Sequence, residues 1–295
     1  MDIARRTILQ GAATVGILPA AAEAETRLEP VALAPENNLT VERRDQVVLL
    51  GFNRPYIQNR VNPEMYLALG KALYGYDHDP SLRAAVLFGH GPNFSRGIDV
   101  DGYKEIVKAG KPFISGADVV DPLGTSDNTR TKPLIAVCHG DTWNMAHELT
   151  LAADIRIAAA DTRFGQDENT HGRFPAGGAT VRFVRETGWG NAMRYMLTGD
   201  HWSAEEAYRM GVVQEVVSTQ KAALARAVDL AQKIAANAPL GVKATLASAH
   251  LALDRSEPIA LQGLLPQFST LFHTRDFQEG RDAEAQNRKP IYIGR

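Results

Sequence analysis

Two glutamates are the first candidates for chemistry in this sequence. Glu148 stands in a strand-to-helix turn that reads "GDTWNMAHEL", and Glu168 stands in a glycine-bearing segment that reads "FGQDENTHGRFPAGG". Two carboxyl groups beside one water can share general base and general acid duties, provided that their surroundings move their pKa values apart. Such a pair would suit proton transfer, whereas a glutamate taken alone more commonly complements a helix start or lies in a solvated loop.

Two backbone N–H groups could stabilise an anion beside these acids. A turn that leads from a strand into a helix leaves N–H groups free at the helix start. Gly97 lets the backbone approach closely before Ile98, and Met145 lies just ahead of the helix that carries Glu148. If both turns face one pocket, the N–H groups of Ile98 and Met145 converge on one carbonyl oxygen as an oxyanion hole.

Other side chains near the two acids are candidate pocket residues. They are Trp143, His147 and His171. Each histidine could act as a general base, although a histidine beside a helix start more commonly has a structural or exposed position. The chain has a single cysteine, Cys138, in the apolar run "LIAVCHG", and one thiol makes neither an internal disulfide nor a zinc site. We predict neither a metal nor a cofactor.

The elements that must position these residues alternate between strands and helices. Apolar runs over 45–53, 83–89, 132–140 and 153–159 read as strands. Helix starts are predicted at Asn62 and Ser203, and alanine-rich helices follow over 220–237 and 239–253. The segment 110–127 reads as a long surface loop. The pattern is that of an α/β protein.

Composition limits the class of protein and its partners. With 295 residues, 44% of them hydrophobic and 22% charged, the chain can form one large globular domain or a core with a small appendage. Its formal net charge is -2 and its basic residues are dispersed, so nucleic acid and anionic lipid are not expected as partners.

The first 24 residues have the pattern of an export signal. Arg5 and Arg6 are followed by a modest apolar run and by Ala22-Glu23-Ala24, which resembles a cleavage site. The run is too short to span a bilayer, so membrane insertion is not expected. The pattern predicts a twin-arginine signal peptide over 1–24 and a bacterial periplasmic product.

Successive motifs resemble those of the enoyl-CoA hydratase/isomerase family, the crotonase superfamily. They read "NRPYIQNRVNPEM", "RAAVLFGHGPNFSRGID", "KPLIAVCHGDTWNMAHELTLAADIRIAAADTRFGQDENTHGRFPAGGA", "GDHWSAEEAYRMGVVQEVV" and "DFQEGRDAEAQNRKP". The resemblance implies a crotonase-like spiral of ββα units over 25–238. It further implies a helical C-terminal trimerisation region over 239–295, and an assembly as a homotrimer or a dimer of trimers.

The resemblance also implies roles for the candidate residues. Ile98 and Met145 match the two oxyanion donors, while Glu148 and Glu168 match the two acid–base glutamates of the hydratases. The implied enzyme is a lyase that adds water to an acyl thioester through a stabilised enolate.

Three departures from the family pattern leave alternatives open. Trp143 to Ala146 replace a glycine run, and Asp101 stands where hydratases commonly carry a lysine near the nucleotide. An exported enzyme would also meet few coenzyme A thioesters. The alternatives are an exported hydrolase that cleaves carbon–carbon bonds of β-diketones without coenzyme A, and a catalytically silent periplasmic scaffold. A small carbonyl compound would then replace the thioester as substrate.

Overall fold

The computed structural model of the chain describes residues 38–295 apart from Ser256. The predicted signal peptide over 1–24 lies outside the described residues. None of the helices in the described part is long and apolar enough to cross a membrane.

A six-stranded sheet forms the centre of the fold. Its strand order is β1-β2-β3-β4-β6-β9, with β1 antiparallel to β2 and the remaining neighbours parallel. The strands β2 to β4 are buried along their whole length, as expected of parallel strands that are covered on both faces. The six strands are β1 Leu39–Arg44, β2 Val47–Phe52, β3 Ala84–Gly89, β4 Leu134–Cys138, β6 Ile155–Ala159 and β9 Glu215–Val217.

A second sheet of three short strands completes the ββα pattern. The strands are β5 Asp141–Trp143, β7 Arg163–Gly165 and β8 Trp202–Ser203, in the order β5-β7-β8. The chain passes from β4 in the large sheet to β5 in the small one and then into α3, and β6 and β7 repeat the same step. Each repeat therefore brings a strand-to-helix turn to the edge of the small sheet.

Ten α-helices pack around the sheets in the described part of the chain. Asn62 and Ser203 cap α1 and α6 as predicted, since their side-chain oxygens accept from Met65 N at 3.0 Å and Glu206 N at 3.2 Å. The helices are α1 Pro63–His78, α2 Val100–Lys108, α3 Met145–Leu151, α4 Ala179–Thr187, α5 Trp189–Thr198, α6 Ala204–Met210, α7 Gln220–Ala235, α8 Pro239–Asp254, α9 Glu257–Phe272 and α10 Arg275–Ala285.

The structure refines two predicted segments. The strand predicted over 45–53 is the second arm of a hairpin, because Asp45 adopts a positive φ of 53° and turns the chain between β1 and β2. The predicted loop over 110–127 contains no helix or strand but is partly buried. Asp121 organises it by accepting hydrogen bonds from Leu123 N, Thr125 N and the Tyr66 hydroxyl.

Candidate active site

The two predicted oxyanion turns lie against each other. Ser95 bridges Thr142 in parallel fashion, Ser95 N donates to Asp141 O at 3.1 Å, and Trp143 N donates to Ser95 O at 3.1 Å. Gly97 has a φ of +82°, and a Cβ there would lie 2.8 Å from Trp143 O. Glycine is therefore required at position 97 both for its conformation and for the close approach of the two chains.

The N–H group of Ile98 points away from the chain that pairs with it. Gly97 O accepts from Val61 N and Asp99 N donates to Val61 O, each at 2.8 Å. The N–H of Ile98 belongs to the same trans peptide group as Gly97 O, so it points in the opposite direction, away from Val61. It has no hydrogen-bond acceptor among the described residues.

The N–H group of Met145 is free as well. Met145 is the first residue of α3, so its N–H has no partner within the helix. No other described residue accepts from it. A Cβ built on Gly97 would lie 3.4 Å from Met145 N, which places the second donor beside the Gly97–Ile98 turn. The two free N–H groups thus belong to adjoining segments.

Glu148 is buried in α3 and is held by backbone donors. One carboxylate oxygen, Oε1, accepts from Gly177 N at 2.8 Å and from Ala179 N at 3.1 Å. Burial raises the pKa of Glu148, and the hydrogen bonds from Ala179 and Gly177 oppose that rise by favouring the carboxylate. A Cβ at Gly177 would overlap the Glu148 carboxylate, so this glycine makes room for the acid.

Glu168 begins a single 3-10 turn, Glu168–His171, and it is also buried. Its Oε1 accepts from Gln166 Nε2 at 2.9 Å, whereas its Oε2 is buried without a partner in the described part of the chain. Burial, and then the nearby charge of Glu148, raise the pKa of Glu168 to about 7. The two acids therefore share one electrostatic environment, and Glu168 exchanges a proton near neutral pH.

Comparison with known proteins identifies the family of the chain. The enoyl-CoA hydratase/isomerase family matches residues 42–295. The chain belongs to the enoyl-CoA hydratase/isomerase family. An enoyl-CoA hydratase of Mycobacterium tuberculosis is 33% identical over 258 residues, which are 86% of this chain and 96% of that protein. A 2,3-dehydroadipyl-CoA hydratase of Escherichia coli is 32% identical over 264 residues, 88% of this chain and 100% of that protein.

Solved structures of the same family share the fold. A crystal structure of a probable enoyl-CoA hydratase/isomerase from Mycobacterium abscessus superposes with a TM-score of 0.86 at 39% sequence identity. It covers 88% of this chain and 99% of that one. The predicted crotonase-like α/β fold with a helical C-terminal region is confirmed.

His147, which in this family member directly precedes Glu148, is a core residue. Its ring is fully buried and meets Phe164, Phe183 and Trp202 edge to face, with ring centroids 5.0 to 5.9 Å apart. Burial lowers its pKa to about 4, so the imidazole is neutral. Its Nδ1 lies 2.6 Å from Gln166 Oε1. Because Gln166 donates through Nε2 to Glu168, the proton of His147 is on Nδ1.

The remaining candidate pocket residues, His171 and Trp143, differ in their contacts. The side chain of His171 is 54% exposed, and its Nε2 lies 3.7 Å from Asp167 Oδ2. The Trp143 ring packs between the guanidinium of Arg96, at 4.5 Å, and the ring of His201, at 4.4 Å.

Met145 combines a free N–H group with a buried side chain. The side chain is 4% exposed and packs in the main hydrophobic core beside Ile98. Its contribution to the site is therefore the backbone donor, while the side chain belongs to the core.

Three residues around the acids were missed by sequence reasoning. Gln166 donates to Glu168, and Asn144 and Asp167 bond to each other across the two turns. The sequence contained a signal for Gln166, because it lies in the same short "GQDE" motif as Glu168. Within the described ranges, no group of three His, Cys, Asp or Glu side chains is arranged to hold a metal ion.

Proposed function

We propose that the protein is an enoyl-CoA hydratase in which Glu148 and Glu168 share the proton transfers. The observation that carries this proposal is the pair of buried, electrostatically coupled carboxyls, one of which has a pKa of about 7 and an oxygen without a partner. Glu148 lies on α3, whose first residue, Met145, supplies one free N–H group, and Met145 N adjoins the Gly97–Ile98 turn that supplies the other. The names of two similar proteins, an enoyl-CoA hydratase and a 2,3-dehydroadipyl-CoA hydratase, support the same reaction for this chain.

The surroundings of the two acids assign their roles. Glu148 has a pKa raised by burial, but two backbone hydrogen bonds to one of its oxygens oppose that rise and stabilise the carboxylate, which takes a proton from water. The remaining hydroxide oxygen bonds to the β-carbon of the conjugated thioester. Glu168, which is about half protonated near pH 7, gives its proton to the α-carbon. The proton that Glu148 has taken then passes to Glu168, directly or through water, which restores both acids; one water is consumed and no redox change occurs.

The two free N–H groups stabilise the charge that this addition creates. As oxygen bonds to the β-carbon, the electron pair of the double bond moves toward the thioester carbonyl and forms an enolate. Donors that are fixed before the reaction stabilise such an oxyanion by on the order of 3 kcal/mol each. The N–H groups of Ile98 and Met145 are backbone groups of the packed turns, so they require little rearrangement during the reaction.

The substrate panel that tests the proposal contrasts thioesters with free carbonyl compounds. We expect the purified protein to hydrate a short trans-2-enoyl-CoA and to leave free enones and β-diketones unchanged. Turnover of the β-diketones alone would instead support the carbon–carbon bond hydrolase, and binding without turnover would support a silent scaffold. The hydrolase would need a histidine as base. His147 does not suit this role, because it is bonded to Gln166 in the core.

We further propose that the protein is exported by the twin-arginine route and assembles as a trimer or a dimer of trimers. Because an exported enzyme would meet few coenzyme A thioesters, export is tested separately from the substrate. Export rests on the arginine pair and the cleavage pattern within 1–24. Assembly is supported by large apolar side chains that α8 and α9 leave exposed, since surfaces of this kind mark protein contacts. They are Leu253, Leu261, Leu264, Leu265, Phe268 and Phe272.

A further inference from the structure

We propose that Asn144 and Asp167 form a latch that positions the Met145 oxyanion donor relative to the acid Glu168. The latch is defined by the side chains of these two residues, and its catalytic effect rests on the proposed hydratase function. Asn144 Nδ2 donates to Asp167 Oδ1 at 2.7 Å, and Asp167 N donates to Asn144 Oδ1 at 2.8 Å. The bonds are reciprocal and join residues 23 positions apart in the sequence.

The latch holds a backbone conformation that asparagine does not favour. Asn144 has a φ of 55° and a ψ of -122°, in a region that residues with a Cβ rarely adopt. Its N–H also donates to Gly165 O at 2.8 Å, so three hydrogen bonds link residue 144 to the segment 165–167. These contacts offset the strain of the unfavourable conformation.

The conformation of Asn144 sets the direction of the oxyanion donor. The ψ angle of Asn144 fixes the plane of the peptide group that contains the N–H of Met145. Asn144 O, in the same peptide group, accepts from Glu148 N at 2.9 Å, so without the latch this helix bond alone would resist rotation of the peptide toward a more favourable conformation. After such a rotation the N–H of Met145 would no longer share a target with the N–H of Ile98.

The other end of the latch is fixed next to the acid. Asp167 directly precedes Glu168, and its main-chain oxygen accepts from Thr170 N at 3.0 Å in the turn that follows. Its second carboxylate oxygen, Oδ2, lies 3.3 Å from His201 Nε2. Burial acts to raise the pKa of Asp167, but the hydrogen bonds from Asn144 and His201 outweigh it and keep the group ionised. The latch thus ties the donor turn to the acid turn.

The test is a double-mutant cycle on the two latch residues. Asn144→Gly removes the side chain while glycine still accepts the positive φ. Asp167→Ala removes the acceptor, and Asp167→Asn keeps an oxygen that can accept from Asn144. We expect kcat to fall about tenfold in Asn144→Gly and in Asp167→Ala, with KM little changed, because the donor acts mainly on the transition state. The double variant should be no slower than the slower single variant.

Three further measurements separate the latch from a general loss of structure. Asp167→Asn should retain most of the activity. Asn191→Ala, which removes an asparagine bond to Thr187 O of 2.9 Å at the α4–α5 junction, should leave kcat unchanged. Amide hydrogen exchange of the 144–148 peptide should quicken in Asn144→Gly and Asp167→Ala whatever the substrate proves to be.

The outcomes distinguish the latch from the hydratase proposal. Any of three results would overturn the latch. They are unchanged hydrogen exchange in both single variants, losses of kcat in the single variants that multiply in the double variant, and an effect on KM alone. If the wild type hydrates no enoyl-CoA, the hydratase function is overturned. Faster exchange in the variants would then still support the latch as a structural connection between the two turns.

Discussion

Replacing Glu168 by glutamine should remove activity and at the same time stabilise the folded protein at alkaline pH. Glu168 is 8% exposed, and its Oε2 has no partner in the described part of the chain. Ionising such a group in the folded protein is costly, because water no longer solvates the charge and Glu148 repels it. Glutamine is nearly isosteric and does not ionise.

The size of the effect follows from the pKa of Glu168. Its ordinary pKa is 4.5 and its pKa in the folded protein is about 7. Because the folded value is the higher one, the folded state binds the proton more tightly, and the free energy of unfolding falls as pH rises from about 4.5 through 7. A rise of this size corresponds to about 3 kcal/mol once both states are ionised. Glu168→Gln does not lose this free energy of unfolding as pH rises, because glutamine does not ionise.

Urea unfolding of the wild type and Glu168→Gln at pH 5 and pH 8 measures the difference. The difference in free energy of unfolding between Glu168→Gln and the wild type should increase from pH 5 to pH 8 by most of this amount. The hydration rate of the variant should be lower by about a hundredfold or more. Glu206→Gln serves as the control, because the bond from Arg209 lowers the pKa of Glu206, so this variant should lose stability to a similar extent at pH 5 and at pH 8. If the stabilities of wild type and Glu168→Gln change in parallel with pH, the environment assigned to Glu168 is wrong.

Three further predictions concern the site and the export signal. Gly177→Ala should lower kcat at least tenfold in steady-state assays, because the added Cβ overlaps the Glu148 carboxylate, whereas Gly75→Ala, where a Cβ meets nothing within 4 Å, should leave kcat unchanged. His147→Phe keeps a ring in the core but loses the bond that orients Gln166. The pKa of Glu168 should therefore rise, and the alkaline limb of the pH–rate profile should move to higher pH. If His147 were the base, the variant would instead lose its activity at every pH. Replacing both arginines at positions 5 and 6 by lysine should block export, and N-terminal sequencing of periplasmic protein should begin near residue 25; an intact Met1 on cytoplasmic protein would contradict the signal peptide.

Local sequence patterns were sufficient to predict the framework and to find the motifs in which Glu148 and Glu168 lie. The buried strands β2 to β4 are short apolar runs between turn residues. The helix caps Asn62 and Ser203 each bond to a residue three positions further along the sequence. The glutamates and the two turns that carry Ile98 and Met145 lie in contiguous motifs. Features of this kind depend on neighbours in the sequence, so they could be predicted without knowledge of tertiary contacts.

The features that sequence reasoning missed depend on contacts between distant segments. Asn144 meets Asp167, and the burial of His147 arises from three rings on β7, α4 and β8. The strands β5, β7 and β8 contain only two or three residues each, too few to show the alternation by which strands are recognised. The preference of position 144 for a positive φ is likewise a property of the folded turn.

The most direct test of the two-carboxyl mechanism is the rate at which water adds to a short trans-2-enoyl-CoA. The rate is measured for the wild type, Glu148→Gln and Glu168→Gln at pH 7, with circular dichroism to verify that each variant is folded. The mechanism predicts measurable hydration by the wild type and a loss of about a hundredfold or more in each folded variant. Hydration by either variant at the wild-type rate would contradict it.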